Sequence, residues 1–260
     1  MKRLGISGVF RNIIKEGRKA FIPYIMAGDP DLEKTLDYVL MLEKCGADMV
    51  ELGIPFSDPL ADGPTIQRAA ERALKKGVTL NKVLAFVREL RSKTSIPVIL
   101  MTYYNPVFKY GERRFAEDAG ACGVDGLIVP DLPPEEAGNL APLCREAGVD
   151  TIFLVAPTSG QDRMKKVAKA SRGFVYYVSM TGITGARLSL NDDFSAHIGR
   201  LRQLTRMPVA VGFGVSTPED AHMISRVADG VIIGSAIVGK LQESPETARD
   251  FISRLREAIG

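Results

Sequence analysis

The chain has 260 residues, with 34 Lys+Arg against 31 Asp+Glu, a formal net charge of +3. Hydrophobic residues at 45% and charged residues at 25% are ordinary globular proportions and exclude disorder. The small charge, without a dense Lys/Arg block, excludes a nucleic-acid footprint, and the longest apolar stretch, residues 230–239, falls far short of the ~20 that span a bilayer.

In chain order, residues 2–15 read as a leading helix with Phe10, Ile13 and Ile14 on one side, a cover for the floor of a barrel. Arg11 and Lys15 interrupt any signal-peptide core, so a cytoplasmic protein is expected. Eight short apolar runs follow: Phe21–Met26, Met49–Gly53, Pro97–Met101, Gly126–Val129, Thr151–Val155, Phe174–Ser179, Pro208–Gly212 and Val231–Gly234. Near-continuous apolar runs are strands buried on both faces, as in parallel sheets. Amphipathic stretches alternate with them, at Leu32–Cys45, Asn81–Arg91, Arg113–Ala121, Pro134–Ala147, Gln161–Ser171, Leu188–Leu204, Pro218–Val227 and Ser244–Ile259.

One junction repeats: Cys45-Gly46-Ala47-Asp48, Cys122-Gly123-Val124-Asp125 and Ala147-Gly148-Val149-Asp150. In each, a glycine ends a helix in the left-handed conformation and an aspartate precedes the next strand. Eight strand–helix units predict an α/β fold, a (β/α)8 TIM barrel with an extra N-terminal helix, in which residues 1–260 form one catalytic domain. The alternative, a doubly wound nucleotide-binding sheet, lacks its G-x-G-x-x-G after the first strand, and no Walker A sequence occurs. Cys45, Cys122 and Cys144 fit reduced thiols in helical segments. With only His197 and His222, and no close Cys/His spacing, no metal site is expected.

Active sites of such barrels lie at the C-terminal ends of the strands. There the sharpest feature is Glu51, which shares a strand face with Met49 and Gly53 inside an apolar run. A carboxylate so placed is costly unless paired or functional, and burial lifts its pKa toward the range of proton transfer. Asp62 precedes Gly63-Pro64-Thr65 and reads equally as a helix cap, a turn residue or a catalytic acid. Asp58, between Ser57 and Pro59, reads as a turn or contact residue. Gly212 and Gly214, Gly234 and Ser235 follow the last two strands, where backbone N–H groups and a short helix form an anion site. None of the eight runs contains a lysine, which argues against a Schiff-base aldolase, and no G-x-S-x-G elbow occurs. A phosphorylated small substrate worked on by carboxylates, with tyrosines lining the site, is the chemistry that remains.

The run Val50-Glu51-Leu52-Gly53-Ile54-Pro55-Phe56-Ser57-Asp58-Pro59-Leu60-Ala61-Asp62-Gly63-Pro64-Thr65-Ile66-Gln67 closely resembles the signature of the tryptophan synthase alpha subunit family. The resemblance extends, in the family's order, through Gly28-Asp29-Pro30, Met101-Thr102-Tyr103-Tyr104-Asn105-Pro106, Pro130-Asp131-Leu132-Pro133, Gly182-Ile183-Thr184-Gly185, Gly212-Phe213-Gly214 and Gly234-Ser235. It implies a (β/α)8 lyase that splits indole-3-glycerol phosphate into indole and glyceraldehyde 3-phosphate, with Glu51 as general acid/base. It places on Asp62 the stabilisation of positive charge at the indole nitrogen. It implies substrate contacts from Tyr24, Tyr103, Tyr176, Thr184, Gly185, Phe213, Gly214, Gly234 and Ser235, the last three and Gly185 around the phosphate. It also implies an alpha2-beta2 complex with a beta subunit that carries pyridoxal phosphate, no cofactor in this chain, and partner contacts at Asp58 and Pro59. Two rival readings are another phosphate-binding barrel of the same pathway, which would lack the Glu51-to-Gln67 run, and an inactive barrel serving as a partner, against which Glu51 and Asp62 both count.

Overall fold

The computed structural model describes residues 4–178, 192–212 and 214–260, with the side chains of residues 192 and 193 left aside. The chain begins with α1 (Ile6–Lys15), β1 (Ala20–Met26), α2 (Leu32–Lys44), β2 (Val50–Gly53), α3 (Pro64–Lys75) and α4 (Leu80–Leu90). It continues through β3 (Val98–Met101), α5 (Tyr104–Tyr110), α6 (Glu112–Cys122), β4 (Gly126–Ile128), α7 (Leu140–Glu146), β5 (Asp150–Ile152) and β6 (Leu154–Val155). It ends with α8 (Gln161–Ala170), β7 (Val175–Val178), α9 (Asp192–Leu204), β8 (Val209–Gly212), α10 (Pro218–Ser225), β9 (Gly230–Ile233), α11 (Ser235–Glu243) and α12 (Pro245–Ile259).

The strands are parallel and lie in one sheet of order β5-β4-β3-β2-β1-β9-β8-β7-β6. Its two ends, β5 and β6, are separated in the chain only by Phe153. β5 pairs with β4 and β6 with β7, so residues 150–155 act as one barrel strand and the ring closes through them. At the break the Phe153 N–H donates to Ser171 Oγ at 3.2 Å, while its carbonyl accepts from the Tyr176 N–H at 3.2 Å. The eight predicted runs thus form the eight staves of a (β/α)8 barrel.

The leading helix closes the floor. Ile6, Phe10 and Ile13 are buried, and the Phe10 ring lies 5.6 Å from that of Phe174. Gly126 and Gly173 leave room for Ile6, since a Cβ at those positions would come within 2.6 and 2.9 Å of its side chain. Ile14, expected on the buried side, is 53% exposed. The helix begins at Ile6, and the stripe at i, i+4 and i+7 from there passes through Phe10 and Ile13.

The repeated Gly-x-Asp junction has a mechanical meaning at this end. Gly46, Gly123 and Gly148 all take positive φ after their helices. Asp48 and Asp125 then accept the N–H of Phe21 at 2.8 Å and of Val98 at 3.0 Å, each on the strand preceding their own. Asp229, before β9, does the same for Val209 at 2.9 Å. An arginine from an outer element backs each: Arg256 on Asp48, Arg91 on Asp125 and Arg202 on Asp229. Among the described residues, no strand N–H donates in this way to Asp150, the third member of the sequence repeat.

Other boundaries differ from expectation. The helix read over Pro134–Ala147 starts only at Leu140, after a turn-rich stretch that follows Pro133 and Pro134. A short helix after β3, α5, went unread in the sequence. Cys122 and Cys144 are buried, but Cys45 is the half-buried cap residue of α2. All three thiols are free.

Candidate active site

The register of the barrel sets the site. Tyr24 of β1 is the direct partner of Glu51 of β2, and Glu51 of Ile99 of β3. Partners in a parallel ladder point to the same face, so Tyr24 and Glu51 project together. Glu51 is 1% exposed, and its Oε2, like Thr102 Oγ1 at the end of β3, has no hydrogen-bond partner among the described residues. Loss of water pushes the Glu51 carboxyl up to about 8, and the field of Asp62 adds to the rise.

Asp62 reaches this region from the loop between β2 and α3. The Tyr103 hydroxyl accepts the Ala61 N–H at 2.9 Å and hydrogen-bonds the Asp62 carboxylate. Gln67 Nε2 donates to the Asp62 carbonyl at 2.8 Å, and Phe56 packs 5.3 Å from the Tyr103 ring. Burial lifts Asp62 to about 6, against the downward pull of the Tyr103 hydrogen bond. The cap residue of α3 is Gly63, with no side-chain cap, and Pro64 opens the helix. Asp62 is therefore not the helix cap, one of the alternatives that the sequence left open.

Two tyrosines wall the space around the carboxylates. Burial raises both phenols far above their usual pKa; the fields of Asp62 and Glu51 contribute in each. Each ring sits over a glycine that cannot carry a side chain. A Cβ on Gly53 would lie 2.1 Å from Tyr24 Oη, and one on Gly212 would lie 2.3 Å from Tyr176 Oη. Gly212, read in the sequence as room for an anion, is room for Tyr176. Gly234 lies against the other side of Tyr24, where a Cβ would be in ordinary contact at 3.4 Å. β1 runs between β2 and β9, so Tyr24 stands between the carboxylates and the start of α11.

Gly234 is the N-terminal cap residue of α11 and Ser235 its first residue. The first N–H groups of a helix have no carbonyl of their own helix to bond, and the helix dipole makes them attractive to an anion. Gly214 has φ +75°, a conformation suited to glycine, in the loop after β8. Thr184, Gly185 and Phe213 lie outside the described residues. Asp58 is exposed and accepts the Ser57 hydroxyl, whereas the half-buried Pro59 holds the Asp62 N–H on its carbonyl at 3.1 Å.

Residues 10–260 match the sequence profile of the family described as tryptophan synthase alpha chain. The chain is 49% identical over 260 residues to the tryptophan synthase alpha chain of Geobacter sulfurreducens, covering 98% of each protein. It is 51% identical over 238 residues to that of Geotalea daltonii, covering 92% of this chain and 90% of that one. Among solved structures it is similar to Mycobacterium tuberculosis tryptophan synthase, with a TM-score of 0.92 at 40% identity over 99% of both chains. It is also similar to tryptophan synthase subunit alpha of Legionella pneumophila, with a TM-score of 0.90 at 38% identity over 98% of both.

The chain belongs to the tryptophan synthase alpha chain family.

Within that family frame, sequence reading missed the residues that shape the site without touching chemistry. Gly53 was visible on the face of Glu51, but its role needs the register that brings Tyr24 beside it. Gln67, within the signature run, turns out to hold the Asp62 backbone. Among the described residues no group of three His, Cys, Asp or Glu is arranged to hold a metal, and no helix is long and apolar enough to cross a membrane.

Proposed function

We propose that Glu51 and Asp62 divide the work of the alpha reaction, the retro-aldol cleavage of indole-3-glycerol phosphate to indole and glyceraldehyde 3-phosphate. Membership of the family makes this chain a carbon–carbon lyase of tryptophan biosynthesis. The observation that supports the division of labour is the pair of carboxyls whose pKa values, about 8 and about 6, straddle neutrality. At pH near 7 one is loaded with a proton and the other is charged.

Breaking the bond between indole C3 and the glycerol carbon requires C3 to be protonated first. Neutral Glu51 delivers that proton, leaving a carboxylate, and the indole ring becomes a cationic indolenine. Ionised Asp62 stabilises the N–H of that cation in a site with little water to screen it. The Glu51 carboxylate then takes the proton of the glycerol hydroxyl. The C–C electron pair returns to the ring, and the hydroxyl carbon becomes the aldehyde of glyceraldehyde 3-phosphate. Glu51 ends as it began, protonated, so no outside acid is consumed.

The lining follows from the same reading. Tyr24, Tyr103, Tyr176, Thr184 and Phe213 are substrate contacts. Gly185, Gly214, Gly234 and Ser235 hold the phosphate, with the N-terminus of α11 supplying N–H donors. Residues 1–260 act as one cytoplasmic catalytic domain without a cofactor of its own. Asp58 and Pro59 face a beta subunit that carries pyridoxal phosphate, in an alpha2-beta2 heterotetramer.

The test is release of glyceraldehyde 3-phosphate from indole-3-glycerol phosphate by the purified chain, with and without the beta subunit. Glu51→Gln keeps the shape of the side chain and removes its proton. Cleavage is expected to fall by at least ~10²-fold with the fold intact. Near-normal turnover in that variant would remove Glu51 from its role.

A further inference from the structure

We propose that Asp29 is a positioning residue: one buried carboxylate pins the far ends of the two helices whose near ends build the site. Asp29 lies in the loop after β1 and is 6% exposed. Its Oδ1 accepts Arg72 Nε at 2.7 Å, and its Oδ2 accepts Arg72 Nη2 at 2.8 Å and Gln242 Nε2 at 3.0 Å. Arg72 lies in the last turn of α3 and Gln242 in the last turn of α11. α3 begins directly after Asp62 and Gly63, and α11 begins at Ser235 after Gly234. The two helices pack on each other and on β1, the strand that carries Tyr24.

The loop that presents Asp29 is itself fixed. The Gly28 N–H donates to the buried Thr35 Oγ1 at 2.9 Å. A Cβ on Gly28 would come within 2.3 Å of Val78, and its φ of +83° suits only glycine well. The Arg72 fork is bidentate, which sets orientation as well as distance. Arg72 and Gln242 sit in the last turns of α3 and α11, at the opposite ends from Pro64 and Ser235. Both act through their helices.

The leverage is geometric. From Pro64 to Arg72 the α3 axis runs roughly 12 Å at about 1.5 Å per residue. A tilt of roughly 5° about the Arg72 end therefore moves the Asp62 end by about 1 Å, a displacement that can cost ~10²-fold in rate. The same argument carries from Gln242 to Ser235 along α11. One carboxylate thereby fixes the spacing between the acid/base end and the anion end of a single substrate.

This inference rests on the reading that Asp62 and the start of α11 meet the substrate, and the test separates the two. Gln242→Met, Arg72→Lys and Asp29→Asn are compared with the unaltered chain in kcat, in binding of glycerol 3-phosphate and in Tm. Gln242→Met is expected to weaken glycerol 3-phosphate by about 5-fold with kcat changed less than about 2-fold. Arg72→Lys is expected to lower kcat by about 10-fold with that affinity nearly unchanged, and Asp29→Asn to do both. Variants that lower Tm but leave kcat and affinity at their original values would overturn the proposal. So would a uniform loss of both from either helix variant. Failure of the unaltered chain to bind glycerol 3-phosphate, or full activity in Asp62→Asn, would instead overturn the underlying reading, and the proposal with it.

Discussion

The hydroxyl of Tyr24 stands where a side chain at position 53 would begin: a Cβ on Gly53 would lie 2.1 Å from Tyr24 Oη and 2.6 Å from its Cζ. The two residues sit on neighbouring strands, with Met26 paired to Gly53 and Tyr24 paired to Glu51. The missing side chain on β2 is thus what lets a tyrosine ring lie across the strand immediately above the buried glutamate.

Gly53→Ala should force that ring aside. The Tyr24 side chain is enclosed, so it cannot swing into solvent, and overpacking of this kind costs about 1–3 kcal/mol. Cleavage should fall along with stability, because the displaced ring borders Glu51. Denaturant titration of Gly53→Ala alone and with Tyr24→Phe gives the check. Removing the hydroxyl relieves the 2.1 Å approach but not the 2.6 Å one. The alanine should therefore cost less, but still something, in the phenylalanine background. Equal cost in both backgrounds would mean that Tyr24 is not what the new methyl meets.

The barrel was legible in the sequence because its strands are buried on both faces and therefore read as unbroken apolar runs. Glu51 stood out for the same reason, as the one carboxylate in such a run. What the sequence withheld depends on register. Nothing local distinguishes Gly53 and Gly212, which make room for tyrosines, from Gly214 and Gly234. The break at Phe153 also follows from pairing, since residues 150–152 serve β4 on one side and residues 154–155 serve β7 on the other. Asp62 was ambiguous because a cap and a catalytic acid look alike before a helix. Only the position of Gly63 as cap residue separates them.

The pH dependence of cleavage should be bell-shaped. Activity needs Asp62 charged and Glu51 protonated, so kcat/KM should rise through about pH 6 and fall above about pH 8. Asp62→Asn should remove the acid limb and most of the rate without lowering Tm, since Asp62 is not the cap of α3. A pH–rate profile of both proteins measures this. An acid limb that survives in Asp62→Asn would assign it to another group.

Glu51 should also carry a stability cost that grows with pH. Its pKa rises from 4.5 to about 8 on folding, so between those values the folded state holds a proton that the unfolded chain has released. Stability contributed at this site therefore falls as pH rises through that window and is fully lost above about 8. Glu51→Gln removes the titration without removing any hydrogen bond to Oε2, which has no partner among the described residues. The Tm of the variant should exceed that of the unaltered chain by a margin that widens from about pH 5 to about pH 8 and then levels off, at roughly 2–4 °C per kcal/mol. Thermal melts across that range decide it: a constant difference would place Glu51 in a more polar setting than its burial implies.

The loop between β2 and α3 joins the outer surface of the chain to Asp62. Asp58 and Leu60 are on the outer surface of the loop, Leu60 being 94% exposed. The loop turns back on itself immediately inside them. The Leu60 N–H donates to the Asp58 carbonyl at 3.0 Å, and the Asp62 N–H to the Pro59 carbonyl at 3.1 Å. The Ala61 N–H is held by the Tyr103 hydroxyl, which also hydrogen-bonds the Asp62 carboxylate. A subunit pressing on Asp58 thus acts within two hydrogen bonds of Asp62. The exposed tip carries little buried surface to hold it in place by itself. The isolated chain should therefore be a slow catalyst that the beta subunit accelerates, by holding Asp62 where a shift of about 1 Å would cost ~10²-fold. Asp58→Ala should blunt that acceleration more than it lowers the basal rate, because the Pro59 and Tyr103 contacts that seat Asp62 remain. Cleavage measured against added beta subunit for both proteins gives the comparison. If the two acceleration curves superimpose, Asp58 is only a turn residue and the coupling runs through another element of the barrel mouth.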